Sequence, residues 1–254
     1  MRVTPDKGTR LRGNVLSGAA VLAACVALAQ EPAPQQSTTG PKPPPQAAVP
    51  TFLHAAPGAT IASIAGVPAY LWRHGCGPTA VGMVLGYYDT HGFPDMFTGD
   101  ASTQTADVNQ GIASQGSGTV GSGTQLHYED YALPDDSASA SVIADRSVSY
   151  PAGCHTNDSI ADFMRTSWSS AGNRYGQTST SDIRPAFTNY VCVRNPGYVP
   201  RSTQYFMGST LTWSVLINEI ANNRPMVFFV DSSGTGTPDH FVAVVGYTDG
   251  PPLQ

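Results

Sequence analysis

Cys76 and His240 are the residues of this chain whose types and settings suit covalent chemistry. Cys76 lies in the stretch 70–89, YLWRHGCGPTAVGMVLGYYD, just before an apolar run, 79–88, that holds no charged residue. Pro78 suits the first turn of a helix, where its missing N–H costs nothing. A cysteine at the mouth of that helix meets the positive end of the helix dipole, which favours the thiolate, the reactive form of the side chain. His240 follows about 160 residues later, at the head of a second apolar run, FVAVVGY (241–247). An imidazole fixed there can take the thiol proton and return it to a leaving group, and the two residues need not be neighbours in sequence. That chemistry is acyl transfer. The competing reading of Cys76 is a small buried hydrophobe.

The elements that must position the pair are legible in outline. The uncharged run 79–88 reads as a buried helix, and Gly82 with Gly86 on one face reads as a site of close packing. Trp213, Leu216, Ile217 and Ile220 repeat at helical spacing behind Thr212 as N-cap, and Asn222-Asn223-Arg224-Pro225 stops that helix. MVFFV (226–230) and 241–247 read as buried strands flanking a Gly, Ser and Thr loop. Residues 157–166 predict a short amphipathic helix capped by Asn157 or Asp158, and 181–193 a segment started by Asp182 and Pro185. Residues 51–67 could add a short strand, and 106–124 reads as loop. His54, His91, His127 and His155 lie in loop-like sequence, His74 is too near Cys76 to serve easily as its base, and each reads as a surface residue.

The first residues carry the marks of an export signal: Arg2, Lys7, Arg10 and Arg12, then an apolar run to Ala29 too short and alanine-rich for a membrane span. The expected layout is a signal peptide over 1–29, a Pro-rich linker over 30–50 and one domain over 51–254. Cys25, in Leu-Ala-Ala-Cys, offers a rival lipid anchor. With a formal net charge of -5 and charged residues at 12%, no basic surface argues for nucleic acid. After signal removal, Cys76, Cys154 and Cys192 remain, which in an oxidising compartment invites one disulfide and one thiol. If Cys76 is the nucleophile, Cys154 pairs with Cys192. LHYEDYALPDD (126–136) matches neither calcium nor zinc spacing and reads as a solvated acidic turn, so no metal site and no cofactor is expected.

GCGPTAVGMVLGYYD, NRPMVFFV and DHFVAVVGYTDG, in this order, resemble the papain-like cysteine peptidases, nearest to the bacterial branch related to bacteriocin-leader (double-glycine) peptidases. The resemblance covers the beginning and end of the domain and leaves the middle unmatched. It implies an α+β papain-like fold, a central buried helix on an antiparallel sheet, with Cys76 as nucleophile and His240 as general base and acid. The family's oxyanion-binding glutamine falls at Tyr70, whose hydroxyl, or the neighbouring Trp72 N–H, is the weak substitute. Its third catalytic member lies one strand beyond 247, a C-terminal strand expected to be missing here, and Asp249 stands too early to replace it. The function implied is an exported hydrolase that cleaves peptide or amide bonds. The alternative is a catalytically inactive papain-like domain that binds peptide or glycan at the cell surface. A transglutaminase-like or cell-wall amidase activity would use the same Cys-His chemistry.

Overall fold

The uncharged run after Cys76 forms α1 (Cys76–Thr90), and most of its length is buried. It starts earlier than its sequence suggests: Cys76 is itself the first helical residue, behind Gly75 as N-cap, and Pro78 falls third. The computed structural model describes residues 60–113, 157–166, 176–232 and 234–249. The signal segment, the Pro-rich linker, the acidic stretch 126–136, Cys25, Cys154, His54, His127 and His155 lie outside the described residues.

Around α1 the described chain is α+β. In order come β1 (Thr60–Ser63), α1, α2 (Ala106–Ile112), α3 (Ile160–Phe163), α4 (Thr180–Arg194), α5 (Trp213–Ala221), β2 (Met226–Val230), β3 (His240–Val244) and β4 (Gly246–Asp249). One side of α1 meets a helical layer. Val81 and Leu85 pack with Val108 and Ile112 of α2, Ile160 of α3, and Tyr190 of α4 in the largest core cluster. Gly82 lets Ile112 approach, since a Cβ there would stand 2.7 Å from the Ile112 Cγ1. Gly86 admits the Tyr70 hydroxyl and Pro68 in the same way. The close packing expected of these glycines is therefore onto side chains.

The other side of α1 lies on a small antiparallel sheet in which β2 pairs with β3, Val230 opposite His240 and Phe229 opposite Phe241. The expected single strand over 241–247 is divided. At Val245 it leaves β2, and β4 pairs antiparallel with β1, Ser63 opposite Gly246 and Thr60 opposite Asp249. Ile64 N–H donates to the Val245 carbonyl at 2.7 Å, so the break itself is hydrogen-bonded. Ile64, Tyr87 and Ile220 make a second small core beneath this sheet.

Other boundaries also move. Residues 106–112 are helical, where a loop is expected across 106–124, because Val108 and Ile112 bury one face and the Thr105 hydroxyl accepts the Val108 N–H. The cap of α3 is Ser159, in a reciprocal capping box with Asp162. In α4 the start is Thr180, behind Ser179, and Pro185 sits inside the helix, where it removes one backbone donor. Thr212 caps α5 as expected, accepting from Val215 N–H at 3.2 Å. Among the described residues no helix is long and apolar enough to cross a membrane.

Candidate active site

Cys76 is 3% exposed. With Ala80 and Phe241 it forms a buried cluster against which Ile183, Val227 and Phe229 pack. Phe241 is the residue after His240, so the helix mouth and the head of β3 meet at that ring. The rings of Phe229 and Phe241 lie 4.5 Å apart, tilted by 33°, as cross-strand partners.

The turn before Cys76 is tightly made. His74 has φ 56, in the left-handed region, and Gly75 follows with φ 154. The Thr79 hydroxyl contacts the Gly75 carbonyl at 2.7 Å and the Arg73 carbonyl at 3.2 Å, and accepts the Arg73 N–H at 2.9 Å. Opposite the turn runs the segment 176–178. The Gly176 carbonyl lies 3.0 Å from where a Cβ of Gly75 would be, and the Thr178 hydroxyl 3.2 Å from where one of Gly77 would be. Thr166 and Thr178 share a hydroxyl hydrogen bond of 2.8 Å in full burial. Glycines at 75 and 176 thus let two backbones pass close beside Cys76, and Gly77 admits the Thr178 side chain.

His240 is the first residue of β3 and is partly buried. Burial holds its imidazole below the ordinary histidine value, opposed by the Asp239 carboxylate. The loop before it is braced from within. Asp239 accepts from Ser232 N–H and hydroxyl at 2.8 Å each, and Asp231 accepts from Gly234 N–H at 2.7 Å and Thr235 N–H at 3.2 Å. His74 is a second neutral imidazole near the site. It is buried, which corrects its reading as a surface residue, and burial, aided by Arg73, lowers its pKa well below the ordinary value.

Tyr70 does not belong to this site. Its hydroxyl donates to the Ala101 carbonyl, its ring meets Phe97 edge-on, and burial raises its pKa. It stands beside Gly86, ten residues along α1 from Cys76 and hence about 15 Å away along the axis. The oxyanion expectation is corrected accordingly: Tyr70 is a core residue. Trp72 lies closer, its ring 3.2 Å from where a Cβ of Gly176 would be. Cys192 is an exposed thiol on α4, and its expected partner Cys154 is outside the described residues. Among the described residues no group of three or more His, Cys, Asp or Glu side chains could hold a metal ion.

Thr79, Thr178 and Phe241 surround Cys76 without having been singled out by the sequence. Thr79 carried a signal, a threonine in the first turns of an otherwise apolar helix. Phe241 carried none, since it reads as one apolar strand residue among several.

A helix headed by cysteine on an antiparallel sheet that starts a strand with histidine fits the papain-like class of cysteine peptidases. Residues 137–251 match the model of the Peptidase_C39 like family, which supports a cysteine peptidase-like function in general and, with it, peptide substrates. The matched span contains β2, β3, β4 and His240, and it begins after Cys76. None of the curated proteins and none of the solved structures compared with the chain matches it.

Proposed function

We propose that the chain is an exported papain-like hydrolase, related to the bacteriocin-leader peptidases, that cleaves peptide or amide bonds with Cys76 as nucleophile and His240 as general base and acid. The observation that carries this reading is the packing of Cys76 on Phe241, which sets the mouth of α1 against the residue that follows His240. In the reaction, His240 takes the thiol proton and the thiolate attacks the scissile carbonyl. The tetrahedral oxyanion forms at the N-terminus of α1, where the backbone dipoles favour negative charge. Collapse expels the amine, which leaves with the proton from His240, and water, deprotonated by His240, then hydrolyses the thioester. The basic and apolar residues of 1–29 support export, and Cys154 with Cys192 remains the proposed disulfide of the exported form.

The test is labelling by an acylating peptide probe, wild type against Cys76→Ala and His240→Ala. Loss of labelling in both variants supports the reading. Labelling of Cys76 that is indifferent to His240 would sink it.

A second reading, a catalytically silent domain that binds peptide or glycan, is favoured by the burial of Cys76. It is favoured also by strand alternation, which sends Phe241 and His240 to opposite faces of β3. Failure of any probe to reach Cys76 in the folded protein would promote it.

A further inference from the structure

We propose that the Thr79 hydroxyl is a positioning group for Cys76, clamping the turn from which the cysteine emerges, a role that presupposes Cys76 as the nucleophile proposed above. Gly75, the N-cap of α1, has no side chain with which to hold the helix mouth. His74 before it sits at φ 56. A residue other than glycine is strained in such a conformation, so its neighbours must hold it in place.

Thr79 does so from inside the helix. A hydroxyl has one proton and two acceptor positions. The shorter of its two carbonyl contacts, 2.7 Å, goes to Gly75, and it accepts the Arg73 N–H at 2.9 Å. A bond from a helical threonine to the carbonyl four residues back is a common habit of the residue. The contact with Arg73 is not explained by that habit, because Arg73 lies outside the helix. One hydroxyl therefore grips the backbone on both sides of His74.

The far side of the turn is anchored as well. The Arg73 guanidinium donates from Nε to the Asn109 carbonyl at 3.1 Å and from Nη2 to the Ala113 carbonyl at 3.3 Å. These carbonyls stand at the end of α2, where Asn109 also accepts the Ala113 N–H at 3.0 Å, so the guanidinium adds bonds to the helix terminus. The end of α2, Arg73, Thr79 and the mouth of α1 thus form one continuous polar chain that leads to Cys76. Displacements of an angstrom or less at a nucleophile are costly, so a clamp here would register in the chemistry.

The experiment compares wild type, Thr79→Val, which keeps the shape and loses the hydroxyl, and Thr79→Ser, which keeps the hydroxyl. Two readouts are taken on the whole chain: the pH profile of iodoacetamide alkylation, read on the Cys76 peptide by mass spectrometry, and amide exchange over 73–76. The expected result is faster exchange at Arg73 in Thr79→Val. Its alkylation near pH 7 should also be roughly tenfold slower, with both restored in Thr79→Ser. Unchanged exchange in Thr79→Val overturns the clamp, and so does faster exchange with an unmoved profile when wild-type Cys76 is activated. If wild-type Cys76 alkylates with the profile of an ordinary thiol, the hydrolase reading fails. The exchange data then decide the clamp alone: faster in valine and restored in serine supports it, and no change overturns it.

Discussion

Phe241 lies between Cys76 and Phe229, touching the thiol-bearing residue through the buried cluster and the other ring at 4.5 Å. A side chain placed this way both fills the core and covers Cys76. The two effects can be separated by size. Phe241→Ala should cost about 3–5 kcal/mol as a cavity-forming change, whereas Phe241→Leu should cost clearly less. In the leucine variant, urea denaturation should find the fold retained while Cys76 alkylates faster than in wild type. An unchanged alkylation rate would mean that Phe241 does not limit access.

Acid should weaken the fold through buried imidazole. The native pKa values of His74 and His240 lie below the ordinary histidine value, so the unfolded chain gains protons first as pH falls. Stability is therefore complete above the unfolded-state value of about 6.5 and declines below it. Fully buried His74 would contribute a slope of up to about 1.4 kcal/mol per pH unit, and the partly buried His240 less because solvent screens it. His74→Asn, which tolerates positive φ, should flatten the decline in denaturation curves taken at pH 7.5 and pH 5. An equally steep decline in that variant would assign the protons elsewhere.

The Tyr70 corner should affect stability and nothing else. Gly86→Ala forces a methyl group against the Tyr70 hydroxyl and Pro68, an overpacking worth about 1–3 kcal/mol. Tyr70→Phe removes the bond to the Ala101 carbonyl for about 1 kcal/mol. At about 15 Å along α1, both variants should keep the wild-type profile of Cys76 alkylation. A changed profile in Tyr70→Phe would return Tyr70 to the site.

The exposed Cys192 should label quickly in the folded, reduced protein. Cys192→Ser should change stability by no more than about 0.5 kcal/mol, as expected for a surface position. In material recovered from an oxidising compartment, the mass of the intact chain should be lower by two hydrogens if Cys192 has joined Cys154. A full complement of titratable thiols there would rule the disulfide out.

Elements whose own periodicity carries them were readable from sequence: α1, α5, β2 and the head of β3 follow from apolar runs and from signals such as Thr212 and Pro225. What escaped depends on tertiary partners. Residues 106–112 look polar and loop-like because only Val108 and Ile112 face the core, too short a repeat to stand out. The division at Val245 is invisible in an unbroken apolar run, since it is set by Ile64 and β1, far away in sequence. Tyr70 misled because a motif position was filled without its chemistry. In three dimensions the missing side chain of Gly86 claims that hydroxyl for the core.

The antiparallel pairing of Thr60 with Asp249 ties the first described strand to the last. Closing so large a loop is an entropic cost met only when almost the whole domain is present, and contacts of such long range form slowly. A chain still emerging from a ribosome or a translocation pore thus lacks both the clasp and the strand that brings His240 to α1. During synthesis the thiol and the imidazole are strangers until residues 240–249 have emerged to complete the hydrolytic pair proposed here.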